Sequence, residues 1–412
     1  MKNVISKSLR DHFLNFDFNY NYSDEFEKNF AKFFNTKYCI GINSGINVLK
    51  TALEALKIKK SDEILVQGNI SIDDIDFLIQ LGYQFKCLDI ISDTLVLDIS
   101  KIKENITEKT KAIIIVHIYG ICPNMDELIK IAREYNLFVI EDATYTNGIN
   151  YKKKKLGSIG DIGCFSFNTT RNLSTSGDCG AIITNCRNIY LKLLMSKKSN
   201  NFSKYLPKNN INNFKAFILN YNLQSLGEKN SKILYIKNKY KLHLSNQSFI
   251  TIPDKICVLP SNIFLIKLKS KKMRDNLYKY LKAYNIDVKK YGNFEKLIEN
   301  WNSKQIQYKD KFIRIQTIME TLLYLPIHLN LNNNAIVFIV KKINKYFQRS
   351  NLNRNYYEQI VNDLTSDITK IHKFEPAEKS HFEAWFRDDR TSDENREKAR
   401  VLVKKKRILF KL

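Results

Sequence analysis

The chain has 412 residues, long enough to bury a full core and to hold two domains, and its 44% hydrophobic and 12% aromatic content suits a folded globular protein. Its formal net charge is +25, but the lysines are scattered through an Ile-, Asn- and Lys-rich sequence and no recognised nucleic-acid module accompanies them. Seven cysteines (39, 87, 122, 164, 179, 186 and 257) contain no C-x-x-C pair, which argues against a disulfide frame or a metal site. No run of about 18 apolar residues is present to span a membrane, and Met1 to Arg10 lacks a signal-peptide core, so a reducing cytoplasm is expected.

Ser23 to Phe34 places Phe26, Phe30 and Phe34 at i, i+4 and i+8, one apolar helical face with charges opposite. Tyr38 to Ile42 reads as a strand that runs into Asn43-Ser44-Gly45 and then a helix from Val48 to Leu56. Strand, glycine turn and helix start make a natural phosphate-binding geometry. The alternation continues with strands at Glu63 to Val66, Phe85 to Leu88, Ala112 to His117, Leu137 to Ile140, Cys164 to Phe167 and Ala181 to Thr184. Helices are expected at Ile72 to Leu81 and Met125 to Tyr135. Short apolar strands alternating with helices predict an α/β fold with a mostly parallel sheet, covered on both faces, that binds ligands at the carboxyl ends of its strands. His117 reads as a core histidine hydrogen-bonded to backbone, and Lys152 to Lys155 as a solvated turn between strands.

The pattern changes near Ile233. A helix from Ser231 to Leu244 leads into a smaller α/β unit with a strand at Ile263 to Leu268, a helix at Lys272 to Tyr284, an extended run at Thr321 to Leu325 and a closing helix at Ala335 to Phe347. The expected organisation is a large domain over 1–232, a small C-terminal domain over 233–348, and a charged tail or helical appendage over 349–412.

Over about residues 20–348, a series of short motifs stands in a fixed order. It runs through Asn43-Ser44-Gly45, Asp62-Glu63-Ile64, Thr110-Lys111-Ala112, Val116-His117-Ile118-Tyr119-Gly120, Glu141-Asp142-Ala143, Gly157-Ser158-Ile159-Gly160-Asp161, Gly177-Asp178-Cys179-Gly180-Ala181 and Leu325-Pro326-Ile327-His328. This order resembles the DegT/DnrJ/EryC1/StrS family of sugar aminotransferases, fold-type I enzymes that use pyridoxal 5′-phosphate (PLP). The resemblance implies a PLP-transferase-like large domain and a role in nucleotide-sugar or polysaccharide biosynthesis. It also implies a homodimer, or a heterodimer with a paralogue, and a nucleotide-sugar ligand.

The resemblance also assigns roles, and there the chain departs from the family. In the family motif F-S-F-x-x-x-K-N-L the lysine forms the Schiff base; here the stretch reads Phe165-Ser166-Phe167-Asn168-Thr169-Thr170-Arg171-Asn172-Leu173. A delocalised guanidinium stays protonated and cannot replace that amine. Asp142 matches the aspartate that pairs with the pyridinium nitrogen, and Ser166 and Gly45 match phosphate contacts. Ile46 stands where the family has a threonine hydroxyl, a lost hydrogen bond of roughly 1–3 kcal/mol if charge-assisted. Ser71 stands where an aromatic ring usually stacks on the pyridine, a loss on the order of 1 kcal/mol. Tyr145 replaces the glutamine near the cofactor's 3-oxygen. Asn220 matches the asparagine of a segment, G-Y-N-x-R, that reaches into the neighbouring subunit, while its arginine has become Asn222.

Three readings remain open from these residues. One is a PLP-dependent sugar enzyme that works without a lysine, as relatives acting as sugar 3-dehydratases do with histidine at this position. Another is a relative without catalysis that keeps the fold and binds a ligand or an active paralogue. In either case PLP is expected to be non-covalent or absent. The third, nucleic-acid or membrane binding, has only charge behind it.

Overall fold

The computed structural model describes residues 14, 16–70, 72–169, 171–198, 210–244, 250–251, 263–290 and 315–347. Helix α1 (Tyr22–Phe34) starts where the Asn21 side chain accepts the Asp24 N–H, and it ends at Asn35 in the left-handed conformation, φ 54°. Its apolar stripe does what the spacing predicts. Phe26, Phe30 and Phe34 are fully buried, with the Phe30 ring centroid 5.0 Å from Phe165 and 5.4 Å from Phe167. Phe30→Ala is expected to cost about 3–5 kcal/mol, read as a lowered urea midpoint, because an edge-on aromatic cluster cannot close over the void.

The chain then alternates. β1 (Tyr38–Ile42), α2 (Asn47–Ala55), β2 (Glu63–Gln67), α3 (Ile72–Gln80), β3 (Gln84–Leu88), β4 (Thr110–Val116), α4 (Met125–Glu134) and β5 (Phe138–Asp142) follow in order. A small hairpin of β6 (Asn150–Tyr151) and β7 (Lys154–Lys155) precedes β8 (Ile162–Ser166) and β9 (Gly180–Thr184). Of the lysine run, Lys152 and Lys153 make this hairpin's turn while Lys154 and Lys155 are its second strand; Lys152 stands at φ 53° with its ammonium paired to Asp126. Strands β1, β9, β8, β5, β4, β2 and β3 form one seven-stranded sheet in that order. Pairing is parallel from β3 through β2, β4 and β5 to β8, and antiparallel where β9 meets β8 and β1. The sheet is mostly parallel, as expected, with β9 reversed. Its strands are continuous apolar runs because both faces are covered; Ala112 to Val116 are all buried.

Two helices follow that the sequence reading did not propose, α5 (Arg187–Lys198) and α6 (Asn213–Gln224). In α6 the residues from Ala216 to Asn220 are buried consecutively, so no single stripe marks it as a helix. α7 (Leu226–Leu244) begins before the expected Ser231 and runs unbroken across the proposed boundary at 232/233. Beyond it, β10 (Ile250–Thr251), β11 (Phe264–Leu268), α8 (Lys271–Ala283), β12 (Lys289–Lys290) and β13 (Leu322–Leu325) supply a four-stranded antiparallel sheet, ordered β10-β11-β13-β12. Leu265, Met319 and Leu322 share one buried cluster with Ile64 and Val66.

Of the described residues, those up to 331 and those from 338 to 347 belong to one compact unit, and 332–337 belong to a second. The described part of the second unit opens the last helix, α9 (Asn333–Phe347), where Asn332 Oδ1 accepts the Ala335 N–H at 2.9 Å. The expected tail at 349–412 lies outside the described residues. Among the described residues no helix is long and apolar enough to cross a membrane.

After β13, burial pushes the His328 imidazole below the usual histidine range, against a weaker upward pull from Asp287. The unfolded chain protonates this histidine near pH 6.5, whereas the folded chain resists. The stability it contributes is therefore complete above about pH 6.5 and is lost as pH falls from there toward the folded value. In urea melts between pH 7 and pH 5, His328→Gln is expected to lose less stability than wild type over the same interval.

Candidate functional site

The carboxyl ends of β1, β5 and β8 and the entry to β9 meet at a cavity of about 440 Å³. Of the residues expected to form a site, Gly45, Ile46, Asp142, Tyr145, Ser166 and Arg171 all line it. Ser71 lies outside the described residues. Asn220 is elsewhere in its own chain: its amide bonds to Asn29, Glu25 and the Tyr22 carbonyl, tying α6 to α1. Asn222 donates to the Ser174 carbonyl at 2.9 Å and accepts the Lys229 ammonium at 2.7 Å.

Asp142 closes β5, in register with Val116 and Cys164. Its Oδ1 accepts the Thr144 N–H at 3.0 Å, and its backbone carbonyl accepts the His117 N–H at 3.0 Å. Burial, with Asp142's charge adding to it, pushes the neighbouring Cys164 thiol well above its usual range, which disfavours the thiolate.

The residue before Asp142 anchors the floor. Glu141 is fully buried and accepts the N–H groups of Gly157 (2.8 Å), Ile159 (2.6 Å) and Gly160 (2.6 Å). The same carboxylate bonds to His117 Nε2 at 2.8 Å. His117 is a core histidine as expected, but its side-chain partner is this carboxylate and not backbone.

Alternation along β8 separates two jobs. Phe165 and Phe167 pack against α1, and Ser166 between them presents its hydroxyl to the turn after β1. A Cβ at Gly45 would lie 2.4 Å from Ser166 Oγ and 2.7 Å from Asp178 Oδ1, so a larger residue here would have to push both polar side chains aside. The Gly45 N–H donates to both Asp178 carboxylate oxygens, at 3.0 and 2.9 Å, and the Ser44 hydroxyl donates to Oδ2 at 2.9 Å. Lys215 holds this segment from α6, donating to the Asp178 carbonyl at 2.7 Å and to Asn43 Oδ1 at 3.0 Å. Ile46, 43% exposed at the start of α2, offers no side-chain cap.

Across the cavity, the Arg171 guanidinium carbon lies 4.0 Å from the centre of the Tyr145 ring. Its Nε is buried and has no hydrogen-bond partner. Asp74, Asp76 and Phe77 of α3 also line the cavity. Sequence reasoning named neither these three nor Asp178 as site residues. Asp178 stood in a motif that had been noticed, but its meeting with Gly45 depends on the reversal of β9. Among the described residues no cluster of side chains is arranged to hold a metal ion.

The model of the DegT/DnrJ/EryC1/StrS aminotransferase family matches residues 5–344. The chain belongs to this family. It is 30% identical over 336 residues to a dTDP-3-amino-3,6-dideoxy-alpha-D-galactopyranose transaminase from Aneurinibacillus thermoaerophilus, covering 78% of this chain and 89% of that protein. A GDP-perosamine synthase from Escherichia coli O157:H7 is 35% identical over 177 residues, which span 43% of this chain and 48% of the synthase. Among solved structures, S. venezuelae DesV in complex with a ketimine intermediate superposes with a TM-score of 0.70 at 23% identity, covering 80% of this chain and 90% of its own. The apo-form of the putative sugar aminotransferase Spr1654 from Streptococcus pneumoniae gives 0.73 at 16% identity, covering 87% and 97%. These two establish a common fold with PLP aminotransferases.

Proposed function

We propose that this DegT/DnrJ/EryC1/StrS family member serves nucleotide-sugar or polysaccharide biosynthesis with transamination lost or severely reduced, because Arg171 stands at the place of the family's Schiff-base lysine. The dTDP- and GDP-linked amino sugars named for its relatives support a nucleotide-linked sugar as the ligand class. The observation that carries the reading is the Arg171 guanidinium lying over Tyr145 inside the cavity, with no lysine among the described lining residues.

The residues do not fit a covalently held PLP. Among the described lining residues no amine is present to condense with the aldehyde, and the Gly45 N–H that would meet a phosphate already serves Asp178. A protonated guanidinium can neither attack a carbonyl nor move a proton at neutral pH. Asp142 and Ser166 remain at the strand ends, and their presence favours a second reading in which a ligand is held without a covalent link and modified by lysine-independent, dehydratase-like chemistry. Pairing with a second copy, or with an active paralogue, accompanies either reading. Borohydride reduction of wild type and Arg171→Lys after incubation with PLP tests the proposal. A reduced adduct in wild type would overturn it.

A further inference from the structure

Arg171 shares its cavity with four carboxylates, Asp74, Asp76, Asp142 and Asp178, and among the described residues it forms an ion pair with none of them. Its guanidinium lies over the Tyr145 ring instead, and its buried Nε has no acceptor. A charge-assisted bond to a carboxylate would ordinarily outweigh a cation–π contact in a site partly shielded from water. The stack therefore needs a restraint that sets both partners. One side chain outside the cavity reaches both. Asn230 is buried near the start of α7. Its Oδ1 accepts the Asn172 amide at 3.1 Å, one residue past Arg171, and its own amide donates to the Asn147 carbonyl at 2.8 Å. Asn147 donates in turn to the Thr144 carbonyl at 3.1 Å, across the turn that presents Tyr145.

We propose that Asn230 is a positioning residue of this cavity: by tying the Arg171 loop to the Tyr145 turn, it keeps the guanidinium on the ring and away from the carboxylates. This rests on the reading that Arg171 occupies the place of the family's amine. A side-chain amide offers a donor and an acceptor on opposite sides, and Asn230 spends one on each segment, so the two are set relative to each other. Held in this way, Arg171 neutralises none of the four acids, and a guanidinium stacked on a ring keeps its in-plane donors uncommitted. Asn222 holds the same loop further on, at the Ser174 carbonyl (2.9 Å), so loss of Asn230 frees the Arg171 end while one anchor remains.

The test is nuclear magnetic resonance of the full chain with nitrogen-15 arginine, following the side-chain Nε–H signals. The Arg171 signal is identified by its disappearance in Arg171→Lys. In wild type it is expected upfield of its place in Tyr145→Leu, because the ring beneath it shields the proton. Asn230→Ala is expected to move it downfield, most of the way to its place in Tyr145→Leu. Asn105→Ala removes another buried asparagine, whose amide donates to the Lys101 carbonyl, and should leave the Arg171 signal where it is. An unmoved signal in Asn230→Ala overturns the proposal. An equal shift in Asn105→Ala also overturns it, since the change would then report general loosening. Coincident signals in wild type and Tyr145→Leu overturn it as well, because no stack would exist to be held. Should Asn230→Ala not fold, Asn172→Ala cuts the same tie from the loop side and is held to the same outcomes. The signal requires neither cofactor nor Schiff base, so this proposal and the loss of transamination can each fail alone.

Discussion

Wild type is expected to yield no borohydride-fixed pyridoxal adduct, whereas Arg171→Lys yields one at position 171, located by mass spectrometry of the cleaved chain. The argument is protonation and position. A guanidinium stays protonated at any ordinary pH, and its nitrogen lone pairs are delocalised, so it offers no nucleophile. Lysine's amine titrates more easily and shifts further when burial disfavours its charge. In the cavity, Arg171 is placed over Tyr145 and faces the same space as Asp142 and Ser166, so a shorter amine at 171 starts from the correct wall. On the proposed reading, the absence of a positioned proton-transfer group is expected to lower transamination by roughly 10²–10⁴-fold. A wild-type adduct on some other lysine, or an Arg171→Lys chain that stays unmodified, would sink the assignment.

The largest stability effect is expected from Glu141→Ala. Four hydrogen bonds converge on this fully buried carboxylate: three backbone N–H groups from 157 to 160 and the His117 imidazole. Removing it strands those donors without water, and breaking such a buried arrangement costs about 3–5 kcal/mol. The segment it holds cannot easily re-form elsewhere. Gly157 sits at φ +93°, and a Cβ there would lie 2.5 Å from the Phe165 ring. Urea melts of Glu141→Ala, His117→Ala and the double variant provide the check. The double variant should lose clearly less than the sum of the two singles, since both act on one network. Additive losses would mean that His117 and Glu141 stand independently.

Much of this architecture was legible because its periodicities are simple. Phe26, Phe30 and Phe34 mark one face of α1, and the continuous apolar strands of a parallel sheet announce themselves between polar turns. Gly45 and Asp142 were expected near a ligand because each follows a strand end, and Ser166 joined them through the resemblance of its F-S-F stretch to the family. Other features were not readable for physical reasons. The run Gly180 to Thr184 is buried along its whole length and looks the same whichever way it points, so the reversal of β9 left no mark in the sequence. α6 is buried on successive positions, and its Asn220 spends its amide on α1 and not in its own chain's cavity. Asp178 lies far in sequence from Gly45, and nothing local foretells that the two meet.

The stretch 167–179 carries both Arg171 and Asp178, and its flanks are fixed by main-chain pairing of Ser166 with Gly180. The two charges therefore belong to a single connection whose ends the sheet holds. Exchanging that single connection with the matching loop of an active relative would rewrite the polarity of the cavity while leaving every strand in its register. Between those fixed ends the connection can change its side chains without disturbing the register of the sheet beneath it.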